Sequence, residues 1–209
     1  MTIEWFGEGC FKITGIGGHF SILTELPSRD SGLTAPRFKT DILLNIWSDL
    51  TDTLFSRENN ERFVISGPGE YEVKEVFIRG IALSSEKGLI KTAYWILMEN
   101  IKLAYLGEIA KKEIKPEVVD FFGGVDILLV PVGGQGMLDS ESAVGFINQI
   151  EPKVVIPMYY KIPKLKRRAG GLEEFLKEMG SKAQAEEKLL IKAKDLNFKE
   201  MKIIPLKTI

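Results

Sequence analysis

The residues able to do chemistry in this sequence are few, and their types narrow the choices. There is one His, His19, and one Cys, Cys10. Zinc sites draw mainly on His and Cys side chains, so a His-based dinuclear zinc centre cannot be assembled from one copy of this chain. A nucleophilic Cys10 would need an activating base, and no histidine is placed to serve it. His19 follows Gly17-Gly18 and reads as an exposed turn residue. Ser66-Gly67-Pro68-Gly69 is rich in glycine but lacks the strand-to-helix setting of a phosphate loop, so a tight turn is expected. A basic run, Lys161, Lys164, Lys166, Arg167 and Arg168, has the charge to contact phosphate or RNA. No aromatic side chain interleaves it, which argues against stacking on single strands. A solvated loop is the simpler expectation.

The elements that must position these residues follow from the apolar pattern. Short runs at Ile3 to Phe6, Cys10 to Thr14 and Phe20 to Leu23 are broken by glycines and predict an antiparallel meander. Residues 25–40 are polar, with two prolines, and predict a long surface loop. Asp41 to Ile46 predicts a strand, and Ser48 or Asp49 could cap a short helix through about Phe55. Hairpins are expected over Val73 to Leu83 and Thr92 to Tyr105, with Glu99-Asn100 as a tip. Pro116 suits a helix start, and Asp126 to Val132 reads as a strand buried on both faces. Ala143, Val144, Phe146, Ile147 and Ile150 form a helical stripe capped by Asp139 or Ser140. Val154 to Met158 predicts another buried strand, then Leu172, Phe175, Leu176 and Met179 predict a helix ending at Gly180. Leu189 to Ile191 and Lys202 to Leu206 predict short closing strands.

Composition agrees with a single globular unit over residues 1–209. The chain is 44% hydrophobic and 27% charged, with a formal net charge of −1. That balance gives no global attraction to nucleic acid or anionic membrane. No apolar run is long enough to span a bilayer, and the N-terminus lacks the pattern of a signal peptide. With one Cys, no internal disulfide is available, so a cytoplasmic protein with no membrane partner is expected. Apolar edge hairpins around Tyr94 to Leu97 permit a homo-oligomer, a dimer.

Five segments in order carry a family resemblance. They are Trp5-Phe6-Gly7-Glu8-Gly9-Cys10-Phe11, Ile65-Ser66-Gly67-Pro68-Gly69-Glu70-Tyr71-Glu72-Val73, Ala104-Tyr105-Leu106-Gly107-Glu108, Leu129-Val130-Pro131-Val132-Gly133-Gly134 and Val155-Ile156-Pro157-Met158-Tyr159-Tyr160-Lys161. The chain resembles the metallo-β-lactamase-fold hydrolases, in the compact group that includes ascorbate-6-phosphate lactonase-like enzymes. The resemblance implies an α/β fold, a four-layer αββα sandwich, with a site at one edge of its two sheets. It also implies a dinuclear metal centre that activates a bridging water.

The sequence departs from the family pattern at each ligand position. Without a gap, the three histidines of H-x-H-x-D-H fall on Trp47, Asp49 and Asp52, and its aspartate on Thr51. With a one-residue insertion, Asp52 retains that aspartate. The histidine and aspartate of the later His-Leu-Gly-Asp fall on Tyr105 and Glu108, and the final histidine falls on Tyr159. Glu8 stands at the histidine of the opening motif. Tyr and Trp fill a ligand's volume without offering a good zinc donor. The resemblance therefore implies a hydrolase homologue without zinc, a pseudoenzyme with a binding or assembly role and no cofactor. One alternative is an active lactone or phosphate-ester hydrolase using Mn, Mg or Ca held by Asp49, Asp52 and Glu108. Another is a phosphate- or RNA-binding module working through residues 161–168.

Overall fold

The structure is a computed structural model, and it describes residues 1–49, 55–58 and 62–209, with backbone only for 55–58. The meander forms as expected: β1 (Thr2–Trp5), β2 (Phe11–Thr14) and β3 (Ser21–Thr24) pair antiparallel in turn. β4 (Ile42–Leu44) and β7 (Arg62–Ile65) then add to β3 in parallel, with β5 (Trp47–Asp49) and β6 (Phe55–Glu58) between them in sequence. The central hairpins are β8 (Gly69–Val73), β9 (Val76–Glu86), β10 (Leu89–Met98) and β11 (Ile101–Tyr105). Both residues of the Glu99-Asn100 tip have positive φ, 54° and 60°. That is the two-residue turn whose twist matches antiparallel strands. The rest of the chain alternates: α1 (Pro116–Phe122), β12 (Ile127–Pro131), α2 (Ser140–Ile150), β13 (Val154–Met158), α3 (Leu172–Glu178), β14 (Leu189–Leu190) and β15 (Lys202–Ile203).

Two sheets result, ordered β14-β1-β2-β3-β4-β7-β6 and β15-β13-β12-β11-β10-β9-β8. Their facing side chains merge into one core, with Ile3, Ile22 and Leu44 of the first sheet among Tyr94, Ile96, Leu103 and Leu128 of the second. β12 and β13 are buried at every residue and pair in parallel, as their unbroken apolar runs require. The Asp139 carboxylate accepts from Ser142 N at 2.9 Å and starts α2. α2 packs between α1 and α3, and α1 also contacts β9. Among the described residues, α-helices begin only at Pro116. The outward residues of the first sheet, Cys10, Leu23 and Leu43, pack with Phe6, Phe38 and Val64 instead of with a helix of that half.

Three local expectations are corrected. The short helix expected from Ser48 or Asp49 begins instead as strand β5, paired with Leu89–Lys91 of β10; residues 50–54 lie outside the described set, and 55–58 are strand. The backbone at Trp47–Asp49 gains cross-strand partners that a capped helix would forgo. Tyr94 to Leu97 is not an edge, because β10 lies between β9 and β11. Residues 25–40 are more than a surface loop: Ser31 and Thr40 are buried and Phe38 packs against Phe6, the tilted rings 5.1 Å apart. No described helix is long and apolar enough to cross a membrane.

Candidate functional site

Several strands running in the same direction end at one place. β1 leads into the turn carrying Glu8, β3 into Glu25, β4 into Asn45 and Ile46, β11 into Glu108, and β13 into Tyr159. The carboxyl ends of parallel strands are where α/β sheets commonly open a crevice. Here they line a pocket of about 420 Å³ with Glu8, Glu25, Leu26, Ser28, Asn45, Ile46, Trp47, Glu108 and Arg167 on its walls.

The charged wall groups and Trp47 are tied to protein partners. Trp47 Nε1 donates to Glu108 Oε2 at 3.1 Å. Arg167 Nε donates to Glu8 Oε1 at 3.2 Å. Tyr159 donates its hydroxyl to Glu25, and Tyr105 donates to the Gly9 carbonyl at 3.0 Å. Gly9 makes this convergence feasible. A Cβ there would lie 2.5 Å from the Tyr105 hydroxyl, 2.6 Å from that of Tyr159 and 2.8 Å from Glu25 Oε1. Behind Trp47 sits a buried ion pair, with Lys91 Nζ 3.1 Å from both Glu113 carboxylate oxygens. The same ammonium donates to the Glu108 carbonyl at 3.1 Å and lies 5.1 Å from the Trp47 ring centre.

The electrostatics follow from enclosure. Glu25 keeps part of its surface toward the pocket, yet its carboxylate is packed in protein. Burial pushes it up to about 8, with the nearby Glu108 and Glu8 adding to the rise and the Tyr159 hydroxyl opposing it. Tyr105 and Tyr159, nearly inaccessible to solvent, are held well above the usual phenol range by burial and then by Glu25. Cys10 is fully buried, and burial raises its thiol, with Glu25 and Glu8 adding to it. It faces the first sheet's outer cluster and has the setting of a structural residue.

The residues singled out from sequence are therefore only partly assembled. Glu8, Trp47 and Glu108 line the pocket, and Tyr105 and Tyr159 join it through Gly9 and Glu25. Asp49 is exposed on β5 opposite Leu89, and Asp52 lies outside the described residues. The basic run does not act as one patch. Arg167 turns inward, the Lys161 ammonium donates to its own loop at Leu165 O, and Lys164, Lys166 and Arg168 are exposed. His19 is exposed in its turn. Glu25 was hidden by the polar composition of residues 25–40. Its one signal is position, directly after a buried strand, as Asn45 follows β4 and Tyr159 follows β13.

The profile of the Beta-lactamase superfamily domain matches residues 2–159. The chain belongs to the metallo-β-lactamase superfamily. A structure from Thermotoga maritima, assigned to the Zn-dependent hydrolases of that superfamily, superposes with a TM-score of 0.79 at 27% identity. The match covers 99% of this chain and 98% of that one. A UPF0173 protein of Pyrococcus abyssi is 32% identical over 66 residues, 32% of this chain and 30% of that relative. A UPF0173 metal-dependent hydrolase of Thermococcus onnurineus is 27% identical over 92 residues, 44% and 40% of the two chains. The aligned stretches thus span less than half the length of these two curated relatives.

Membership in the metallo-β-lactamase superfamily implies a metal, and the pocket's donors can be set against that need. Among the described residues, no group of three or more His, Cys, Asp or Glu side chains is placed to hold an ion. The pocket offers carboxylates and phenols, already engaged with Arg167, Trp47 and each other. These groups do not fit a zinc pair, whose ligands come chiefly from His and Cys.

Proposed function

We propose that this metallo-β-lactamase-fold protein is a pseudoenzyme that works without the His-based zinc pair and uses the retained scaffold for binding or assembly. The observation that carries this is the Tyr105–Gly9–Glu25–Tyr159 cluster, in which the two tyrosines that the sequence resemblance aligns with family histidines bond within the protein. Full burial of both rings supports a filled site over an open one. Metal analysis of protein purified without chelator is the test. Substoichiometric Zn, Mn, Mg and Ca, with no rise in melting temperature on adding Mn²⁺ or Ca²⁺, is the expected result. A tightly held ion near one per chain would sink the proposal.

The alternative is an active metal-dependent hydrolase. The name of the Thermococcus relative favours it, and Glu108 does face the pocket. It would need an oxygen-ligated ion recruited by Glu108 with Asp49 and Asp52. Hydrolysis of a lactone or phosphate ester that disappears in Asp49→Ala/Glu108→Ala would establish it.

A further inference from the structure

We infer that Arg167 is the resident cation of this site, a half-buried guanidinium that bridges the Glu8 turn and the end of the Tyr159 strand. The inference deepens the zinc-free proposal above and rests on it. Arg167 spans the two positions where the family pattern has histidines, Glu8 and Tyr159. Its Nε meets the Glu8 carboxylate at 3.2 Å, and its Nη2 donates to the Tyr159 carbonyl at 3.0 Å. The Nη1 donates to the Arg168 carbonyl at 3.2 Å, so every guanidinium nitrogen has an acceptor. The guanidinium carbon lies 5.4 Å from the Tyr159 ring centre. A planar cation with fixed donors suits such a set better than an ammonium.

The surroundings show a built position. Glu8 is 7% exposed and held at φ 48°, with Trp5 Nε1 donating to its carbonyl at 2.9 Å. Tyr159 is also in the left-handed region, at φ 60°. The loop that delivers Arg167 is closed by Lys161 N to Gly170 O at 2.8 Å and stitched to the first sheet's loop by Lys166 N to Ser31 O at 2.8 Å. Ile162 and Leu165 anchor it as buried side chains. Without a cation here, Glu8 would be a buried carboxylate facing Glu25 and Glu108 across the pocket, which is costly.

The experiment is chemical rescue in the full-length chain. Arg167→Ala should melt at a lower temperature than the wild type. Guanidinium chloride at tens of millimolar should then raise its melting temperature saturably over equal NaCl, regaining about half of the loss, with no such gain in the wild type. Equal responses to guanidinium and sodium, or an Arg167→Ala melting temperature unchanged from wild type, would overturn the inference while leaving the zinc-free proposal standing. Saturable stabilisation of the wild type by Mn²⁺ would overturn both. If Arg167→Ala does not fold, Arg167→Lys and Glu8→Gln decide singly and together. The double variant should melt higher than the summed losses predict, and strict additivity would overturn the inference.

Discussion

Gly9 is the residue on which the tyrosine cluster depends. Its missing Cβ leaves room for two phenol oxygens and a carboxylate within 2.8 Å of where that atom would be. Gly9→Ala should therefore destabilise the protein by about 1–3 kcal/mol, the usual range for overpacking. Urea denaturation measures it. Tyr159→Phe should cost less in the Gly9→Ala background than alone, since the hydroxyl it removes is then in the way. Glu25 gives a second prediction, through pH. In the unfolded chain it ionises near its ordinary 4.5, and in the folded protein near 8. Between these values the folded protein keeps a proton that the unfolded chain has released. The stability linked to this proton is fully present below about pH 4.5 and is lost as pH rises toward 8. Glu25→Gln should flatten the fall in unfolding free energy over that window, by at most ~1.4 kcal/mol per pH unit. An unchanged slope would mean that Glu25 is ionised in the folded state.

At the scale of elements, the loop from Gly107 to Glu113 is fixed by an ion pair. Glu113 accepts from Lys91, from Ala110 N at 2.8 Å and from the Ser84 hydroxyl, so one carboxylate joins β9, β10 and the loop that carries Glu108. Glu113→Ala would strand a buried ammonium and should cost about 3–5 kcal/mol, whereas Lys91→Met with Glu113→Leu should cost much less. Denaturant midpoints of the three proteins check this.

Legibility in the sequence also divides by element. α2 was plain because its signals are local: a stripe at helical spacing and the Asp139 cap. β12 and β13 were plain because full burial demands unbroken apolar runs. β5 is not legible locally, since Ser48 and Asp49 resemble a helix start until Leu89–Lys91 offers backbone partners. Glu25 and Arg167 were obscured by their neighbours, one in a polar loop and one in a basic run. What separates each from those neighbours is a contact more than a hundred residues away, and no window of sequence contains both halves.

Across the whole molecule, Cys10 is sealed under the cover on the outer face of the first sheet, where Phe6 and Phe38 pack over it. Its thiol is fully buried, and its ionisation is opposed by burial and by Glu25 and Glu8. A thiol reagent such as DTNB should modify the native protein only at the rate of global unfolding, and denatured protein at once. Rapid labelling in native buffer would show that the cluster around Phe6 and Phe38 opens locally.

The span of the pocket's bonds has a further consequence, for the order of folding. Tyr105 reaches Gly9 across 96 residues, Tyr159 reaches Glu25 across 134, and Arg167 reaches Glu8 across 159. Each closes a loop too long to form early, because chain entropy must be overcome before such a contact stabilises anything. The β9–β10–β11 hairpins can form from near neighbours, but the pocket exists only when both ends of the chain have met. A ribosome-bound chain that has not yet released residues 159–167 therefore has two sheets in the making and no site.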